Sequence, residues 1–275
     1  MTGSLLLSSD EVRVMGRLAG GAALVPGDDW DADDLPVADV VATRALLARE
    51  LIRLEATDSA PASLPSLVLT PAARALFGVP STILSIWRDA TAGPWRATLV
   101  GSLLAREVSP EVWLLRNTAE EHLAGLVDEL LCDAADSATG TAVTIPTAAL
   151  AAADRAAAQS TVDGVVDLLA SRGVEPAEAR TVARILLHRN AITTVRLTRQ
   201  TGTTMLTESL TWLEVGTDTW LAAPDLPDDP PEADADGTAA CLPMPEELPG
   251  VTRLTPIDRD GLRAALDALL AERAA

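Results

Sequence analysis

A short helical sequence occurs twice in this chain, and its recurrence limits the fold more than any other feature. The first copy, EHLAGLVDELL, covers residues 121–131, and the second, DGLRAALDALL, covers residues 260–270. Two helices rich in alanine and leucine can resemble each other by chance. Duplication of a half-domain becomes the better explanation when further elements recur in the same order along the chain.

The start of each half follows the same plan. Residues 4–7 (SLLL) can form a short strand, and Ser8 with Glu11 makes a capping box for the helix that follows. Near the middle of the chain, residues 142–145 are strand-like, and a helix is predicted from about Thr147.

Each half continues with two further helices. The first of them is predicted at residues 43–55 in one half and at residues 160–171 in the other. The second begins with a proline, Pro71 or Pro176, at the first helical position, where the missing N–H has no cost.

The hydrophobic period then changes from 3.6 to 2, which predicts strands. Three alternating segments follow in each half: residues 81–89, 95–108 and 111–117, then 191–200, 204–215 and 218–224. Both sets are typical of antiparallel meanders with short hairpins. The repeated helix closes each half, with Thr118 and Asp258 as its caps.

Corresponding positions of the two halves are separated by a nearly constant number of residues. Pro71 and Pro176 are 105 apart, and the tryptophans at 113 and 220, which we match to each other, are 107 apart. The closing helices are 139 apart, from Leu123 to Leu262. The increase coincides with residues 225–250, an acidic and proline-rich stretch that we interpret as a disordered insertion.

These observations predict an α+β fold. We expect a single domain of two internal repeats, about 1–135 and 136–275, related by a pseudo-twofold axis. A central antiparallel sheet, flanked by helical clusters, would remove some of the exposed strand edges of each half.

Composition excludes several classes of function. A net charge of −19 argues against nucleic acids and anionic membrane surfaces, which need clustered cations. All 21 cations are arginines, so Walker A and Schiff-base lysines are excluded. No apolar run is long enough to span a bilayer, and the N-terminus lacks a signal pattern, so we expect a cytoplasmic protein. The bias toward alanine, arginine and aspartate is typical of a GC-rich genome such as that of an actinobacterium.

The sequence contains no convincing catalytic or metal-binding motif. His122 lies at a predicted helix start and His188 at a helix end, and no GxSxG segment is present. Alternating acids in residues 28–40 lack the glycine and glutamate of a calcium loop, so a solvated linker is the better interpretation. Cysteine and histidine do not occur at zinc spacing. We therefore predict neither an enzyme nor a cofactor.

The order of elements resembles the EspG proteins, chaperones of ESX (type VII) secretion. The resemblance is carried by TIPTAALAAADRAA, VEPAEARTVARILLHRNAITTVRL, SLTWLEVGTDTWLAAP and VTRLTPIDRDGLRAALDALL in the second half. The first-half segments GVPSTILSIWRD, EVWLLRN and EEHLAGLVDELL follow the same order. The resemblance covers most of the chain except residues 225–250.

The resemblance implies a chaperone that binds the apolar helical tip of a PPE subunit in a PE–PPE dimer, with other ESX substrate proteins as the alternative partners. Tryptophans are common at binding hot spots, so we predict that the first hairpin contacts the partner through Asp89, Thr91 and Trp95. Trp95 is expected to be the exposed tryptophan, anchoring a groove for a partner helix on the neighbouring sheet face. The alternatives are a carboxylate-based hydrolase and a self-associating protein whose homodimer covers that face.

Overall fold

The fold was analysed in a computed structural model of the chain. The structure describes residues 5–19, 38–55, 66–77, 82–91, 93–100, 103–117, 120–201, 204–225 and 250–274. Three predictions of the sequence lie wholly or mostly outside these ranges: the acidic linker at residues 28–40, the cap at Thr118 and the insertion at residues 225–250.

The described residues form helices and strands in an α+β order. The first half contains β1 (Leu5–Ser8), α1 (Ser9–Leu18), α2 (Ala38–Ala48), β2 (Ile52–Glu55), β3 (Ser66–Leu69), α3 (Pro71–Phe77), β4 (Thr82–Ala90), β5 (Trp95–Val100), β6 (Leu103–Ser109), β7 (Val112–Asn117) and α4 (Glu120–Leu130). The second half contains β8 (Val143–Pro146), α5 (Thr147–Ala157), α6 (Val162–Ser171), α7 (Pro176–Leu187), β9 (Arg189–Thr201), β10 (Thr204–Val215), β11 (Asp218–Asp225), β12 (Val251–Pro256) and α8 (Arg259–Ala274).

Ten of the strands form one antiparallel sheet, and β2 and β3 form a separate hairpin. The strand order is β1-β7-β6-β5-β4-β9-β10-β11-β12-β8. This arrangement, with helices in both halves, confirms the predicted α+β class. Within each half, the first strand pairs with the last one, so the order of strands is the same in both halves.

The chain divides into two compact units. One comprises Met1–Glu129, Thr194–Ser209 and Leu269–Ala275, and the other comprises Leu130–Thr193 and Leu210–Ala268. Strands β9 and β10 therefore contribute residues to both units. The first is called unit 1 and the second unit 2.

Each unit has its own hydrophobic core. In unit 1, α1, α2, α3 and the β2–β3 hairpin contribute to a core with one face of the sheet, in which Met15, Leu46 and Trp113 are fully buried. In unit 2, α5, α6 and α7 contribute to a core that includes Val182, Leu213 and Trp220. Alternate residues of each strand enter these cores because side chains of a strand point to opposite faces.

Several local predictions are confirmed. Ser8 and Glu11 form the capping box of α1, with Ser8 N–H donating to Glu11 Oε2 at 2.8 Å. Pro176 occupies the first turn of α7. The carboxylate of Asp258 accepts the N–H of Gly261 at 2.8 Å at the start of α8.

The helix predicted at residues 43–55 is wrong in its second part. Helix α2 ends at Ala48, and after a turn Ile52–Glu55 form strand β2. The ending is a Schellman motif, in which Leu51 N–H donates to Leu46 O and Glu50 N–H donates to Leu47 O, both at 3.0 Å. Glu50 has a φ of 56°, a position that glycine usually occupies, so the sequence lacked the usual stop signal.

The predicted strands also need correction, because each half contributes five strands to the sheet rather than the predicted four. The segment at residues 95–108 is two strands, β5 and β6, and β12 was not predicted. Trp113 lies on the last strand of its half, whereas Trp220 lies on the strand before the last. The two tryptophans are therefore not equivalent, and the register places Trp220 at the position of Leu103.

The pairing of the first and last strands has the same register in both halves. Leu5 lies opposite Leu115, and Val143 lies opposite Leu254. The remaining three pairs correspond in the same way. Residues of β1 and β8 are 138 positions apart in the sequence, and residues of β7 and β12 are 139 positions apart. Such equivalence is what internal duplication predicts, although duplication itself stays a prediction.

Equivalent hydrogen bonds join the last strand to the helix that follows the first strand. Ser9 N–H donates to Glu111 O at 3.0 Å, and Thr147 N–H donates to Gly250 O at 3.1 Å. The side chains repeat the contact, since Trp113 Nε1–H donates to Ser9 Oγ at 2.9 Å and the hydroxyls of Thr147 and Thr252 are 3.0 Å apart. Each helix start is thus fixed to the strand beside it.

The equivalent positions 111 and 250 lead to a stability prediction. Both have positive φ, 63° at Glu111 and 100° at Gly250, but only the second is a glycine. We expect Glu111→Gly to raise the free energy of unfolding by about 0.5–1 kcal/mol, because glycine adopts this conformation without steric cost. Urea denaturation measures the gain, and Glu107→Gly within β6 should instead destabilise. A loss of stability in Glu111→Gly would contradict the prediction.

The backbone of the two outermost strands is protected against pairing with another strand. On β1, Ser8 N–H is bonded to Glu11, and Leu6 O accepts from Arg49 Nη1 at 2.7 Å. On β8, Pro146 stands at the position of Ser8 and has no N–H to donate. A backbone group at a sheet edge that is already hydrogen-bonded, or a proline that lacks the N–H, hinders pairing with the edge of another sheet.

Candidate partner-binding surface

The predicted partner-binding hairpin connects β4 and β5. Asp89 and Thr91 are exposed, and Trp95 is half-buried at the start of β5. Gly93 closes the turn with a φ of 116°, and its N–H donates to Ala90 O at 2.8 Å. The hairpin therefore presents its tip to solvent while its strands continue into the sheet.

The structure does not bring the three predicted residues together on one face. Trp95 lies opposite Arg88, so both side chains are on the same face of the sheet. Asp89 follows Arg88 on the same strand and therefore projects to the other face. A partner on either face could contact Thr91 at the tip, but only one of the other two residues.

Trp95 is held by a charged neighbour on β6. The guanidinium carbon of Arg106 lies 4.9 Å from the centre of the Trp95 ring, which is a cation–π contact. The same guanidinium makes a two-pronged ion pair with Glu129 of α4, at 2.7 and 2.5 Å. This stacking explains why Trp95 is half-buried rather than exposed as the sequence had predicted.

Next to Trp95, the same face of unit 1 carries apolar side chains that the fold leaves in contact with solvent. Leu114 lies opposite both Leu6 and Arg106, and Val112 is two residues before Leu114 on β7. Leu6 is 55% exposed, Val112 is 36% exposed and Leu114 is half-buried. We call Leu6, Trp95, Val112 and Leu114 the edge patch.

Trp87 occupies a comparable position on the opposite face. The guanidinium carbon of Arg196 lies 5.0 Å from the centre of its ring. Arg96, directly opposite Trp87 on β5, forms an ion pair with Glu107 at 3.8 Å. Each of the two half-buried tryptophans is therefore flanked by arginines, and exposed apolar side chains accompany Trp95 on its face at Leu6 and Val112.

The remaining tryptophans among the described residues are structural. Trp113 and Trp220 belong to the two cores, and Trp212 is fully buried with its Nε1–H 3.2 Å from Glu214 Oε1. Core packing therefore accounts for these three tryptophans.

Unit 2 contains an open groove of about 990 Å³. It lies between the start of β8, helix α7 and the β10–β11 turn. Its acidic lining residues are Glu178 and Asp218, and Asp218 accepts a hydrogen bond from Thr139. Neither acid is buried. The groove thus lacks the pair of buried carboxylates that a hydrolase would use as acid and base.

The two histidines occupy the helix ends that the sequence predicted for them. His122 lies in the first turn of α4, and His188 caps the C-terminus of α7 with an exposed side chain. The residues that the structure describes contain no cluster of three or more side chains able to hold a metal ion. Within the same ranges, no helix is both long and apolar enough to cross a bilayer.

The buried carboxylates have local structural partners. Glu11 closes the capping box of α1 and lies 3.7 Å from Arg49. Glu214 accepts from Trp212 in the other unit. Each acid thus has a polar partner in its own unit, although Glu11 Oε1 is buried and accepts no hydrogen bond from the described residues.

A solved structure with the same fold is a secretion chaperone. The chain is similar over 98% of its length to Mycobacterium tuberculosis EspG5, the type VII secretion system chaperone, in a complex with a PE25–PPE41 dimer. The TM-score is 0.55, the sequence identity is 12%, and 96% of the EspG5 chain is covered. No family model matches the sequence, and no curated protein matches it either. The fold is therefore EspG-like, as the sequence resemblance implied.

Sequence reasoning found Trp95 but missed the other members of the edge patch. Leu6 and Leu114 are 108 positions apart, and each belongs to an ordinary alternating strand. The alternation predicted which residues share a face, but it did not predict which of their side chains remain exposed.

Proposed function

We propose that this chain is a cytoplasmic, non-catalytic secretion chaperone that binds a PE–PPE-type substrate dimer. The observation that carries the proposal is the similarity of fold to EspG5 along nearly the whole of both chains. The two halves described above are proposed to be internal repeats, of about 1–135 and 136–275, because their registers and helix-start hydrogen bonds correspond.

The surface of unit 1 supports the role of a chaperone in physical terms. A secretion substrate with an apolar tip aggregates unless another protein covers it, and a partly exposed apolar face can do so. The hairpin with Asp89, Thr91 and Trp95 is proposed to contact the partner, with Trp95 as the aromatic anchor. Its ring is already oriented by Arg106, so little side-chain entropy is lost on binding.

Co-expression with the PE–PPE-type pair encoded nearest to its gene tests the function. The expected result is a stable complex with one copy of each chain on size-exclusion chromatography. The fold-based proposal is contradicted if the three proteins elute separately over the concentrations at which the pair alone stays soluble. Elution of the chain alone as a stable homodimer would favour the self-association alternative.

Two tryptophans provide a matched test of the hairpin. Trp95→Ala is expected to weaken the complex at least tenfold, because aromatic anchors contribute a large share of binding free energy. Trp87→Ala is the control, since Trp87 is also half-buried and stacked by an arginine but lies on the other face. Calorimetric titration should give nearly wild-type affinity for the control. Equal losses in both variants would contradict the assignment of the Trp95 face.

A further inference from the structure

We infer that the edge patch is a docking face for one amphipathic helix of a different protein. The inference rests on the proposed function in one respect, namely that the chain acts by binding a protein. It goes beyond the hairpin, because it assigns binding to Leu6 on β1 and to Val112 and Leu114 on β7.

The second half has polar residues at most of the equivalent positions. The shared register matches Leu6 with Thr144 and Leu114 with Arg253. Following the register across the next strands matches Trp95 with Glu208. Only Val112 has an apolar counterpart, Val251.

This difference distinguishes side chains that the strand pairing requires from side chains that serve binding. Thr144 and Arg253 are exposed, and the β8–β12 ladder that contains them has the same register as the β1–β7 ladder. Polar residues are therefore compatible with this strand pairing. The leucines of the first half are not needed for the ladder, and leaving them partly exposed is explained by contact with a partner.

A second copy of the chain fits the patch poorly. Two copies with a charge of −19 each repel one another. A stable dimer buries about 800 Å² of each partner, which is more than a few partly exposed side chains can supply. Edge-to-edge pairing is also opposed, because Leu6 O and Ser8 N are already hydrogen-bonded to side chains.

The dimensions of the patch fit a helix of another protein. From β1 through β7 and β6 to β5 the patch spans three strand spacings, about 14 Å, which accommodates one α-helix with its side chains, about 10–12 Å in diameter. The ion pair between Arg106 and Glu129 ties α4 to β6 beside the patch. A partner helix with apolar residues at i, i+3, i+4 and i+7 would lie beside α4 and contact Leu6 and Leu114.

Exchange of residues between the halves tests the inference. The double variant Leu6→Thr, Leu114→Arg carries the side chains that the second half has at these positions. We expect it to fold normally and to bind the co-expressed PE–PPE-type pair at least tenfold more weakly. Leu54→Thr is the control, because Leu54 is 57% exposed on β2, outside the patch, and it should keep affinity within twofold.

Unchanged affinity in the double variant would overturn the inference while leaving the proposed function in place. If the wild-type chain forms no complex with the pair, the proposed function fails, and a second measurement then decides about the patch. A photo-crosslinking residue at position 6, in the full chain in its native cells, should link to an amphipathic helical segment identified by mass spectrometry, whereas one at position 144 should not. A link between two copies, or no link, would overturn the inference.

Discussion

Replacing Trp113 by alanine is expected to lower the free energy of unfolding by about 3–5 kcal/mol, the usual cost of deleting a buried aromatic side chain. Trp113 is 1% exposed and packs in the core of unit 1 with residues of α1 and α2. Its removal leaves a cavity that the surrounding sheet and helices can fill only in part. It also takes the hydrogen-bond donor away from the buried hydroxyl of Ser9.

Two companion variants separate these contributions. Trp113→Phe keeps most of the volume and loses the indole N–H, so we expect a smaller loss of about 1–2 kcal/mol. Trp95→Ala should cost clearly less than Trp113→Ala, because Trp95 is half-buried at the patch. Urea denaturation followed by circular dichroism gives all three values. Equal losses for Trp95 and Trp113 would show that packing around Trp113 is not the dominant factor.

Gly140→Ala is expected to be the second most damaging of the substitutions considered, with a loss of about 2–4 kcal/mol from backbone strain and overpacking together. Gly140 has a φ of 103°, where a side chain is strained. A Cβ at this position would lie 3.0 Å from Cη2 and 3.2 Å from Cζ2 of Trp220. The indole is buried in the core of unit 2 and has little freedom to move.

Gly173 provides the matched control for Gly140. It also has a positive φ, 84°, but a Cβ there would meet nothing within 4 Å. Gly173→Ala should therefore show only the backbone strain, about 1–2 kcal/mol. The difference between the two variants in thermal and urea denaturation measures the contact with Trp220. Equal losses would mean that the contact is relieved by a small shift of the chain.

The outcome of the sequence predictions depends on how far apart the interacting residues are. The capping box of Ser8 and Glu11 and the proline start of α7 were correct, because each signal involves neighbours within a single turn. The end of α2 was missed because Glu50 occupies a position where glycine is expected. Strand β12 was missed because it is short and follows directly on the insertion, where composition gives little guidance.

The candidate site was predicted only in part. The hairpin and Trp95 were recognised from an aromatic residue next to a turn, which is a local pattern. Asp89 and Trp95 project to opposite faces of the sheet, and Leu6 and Leu114 share the face of Trp95. Both facts follow from registers between strands. No short window of the sequence contains those registers.

The sequence by itself determined the α+β class, the capping box of α1 and the proline start of α7. Hydrophobic period, caps and turns are set by residues a few positions apart, so they can be read along the chain. Only the tertiary structure decided that Trp220 stands where Leu103 does, that β1 and β8 are the edges, and that Leu6 and Val112 stay exposed in the first half. Strand register and burial depend on contacts between residues about a hundred positions apart. These contacts form only when the whole chain packs, so a local stretch of sequence does not reveal them.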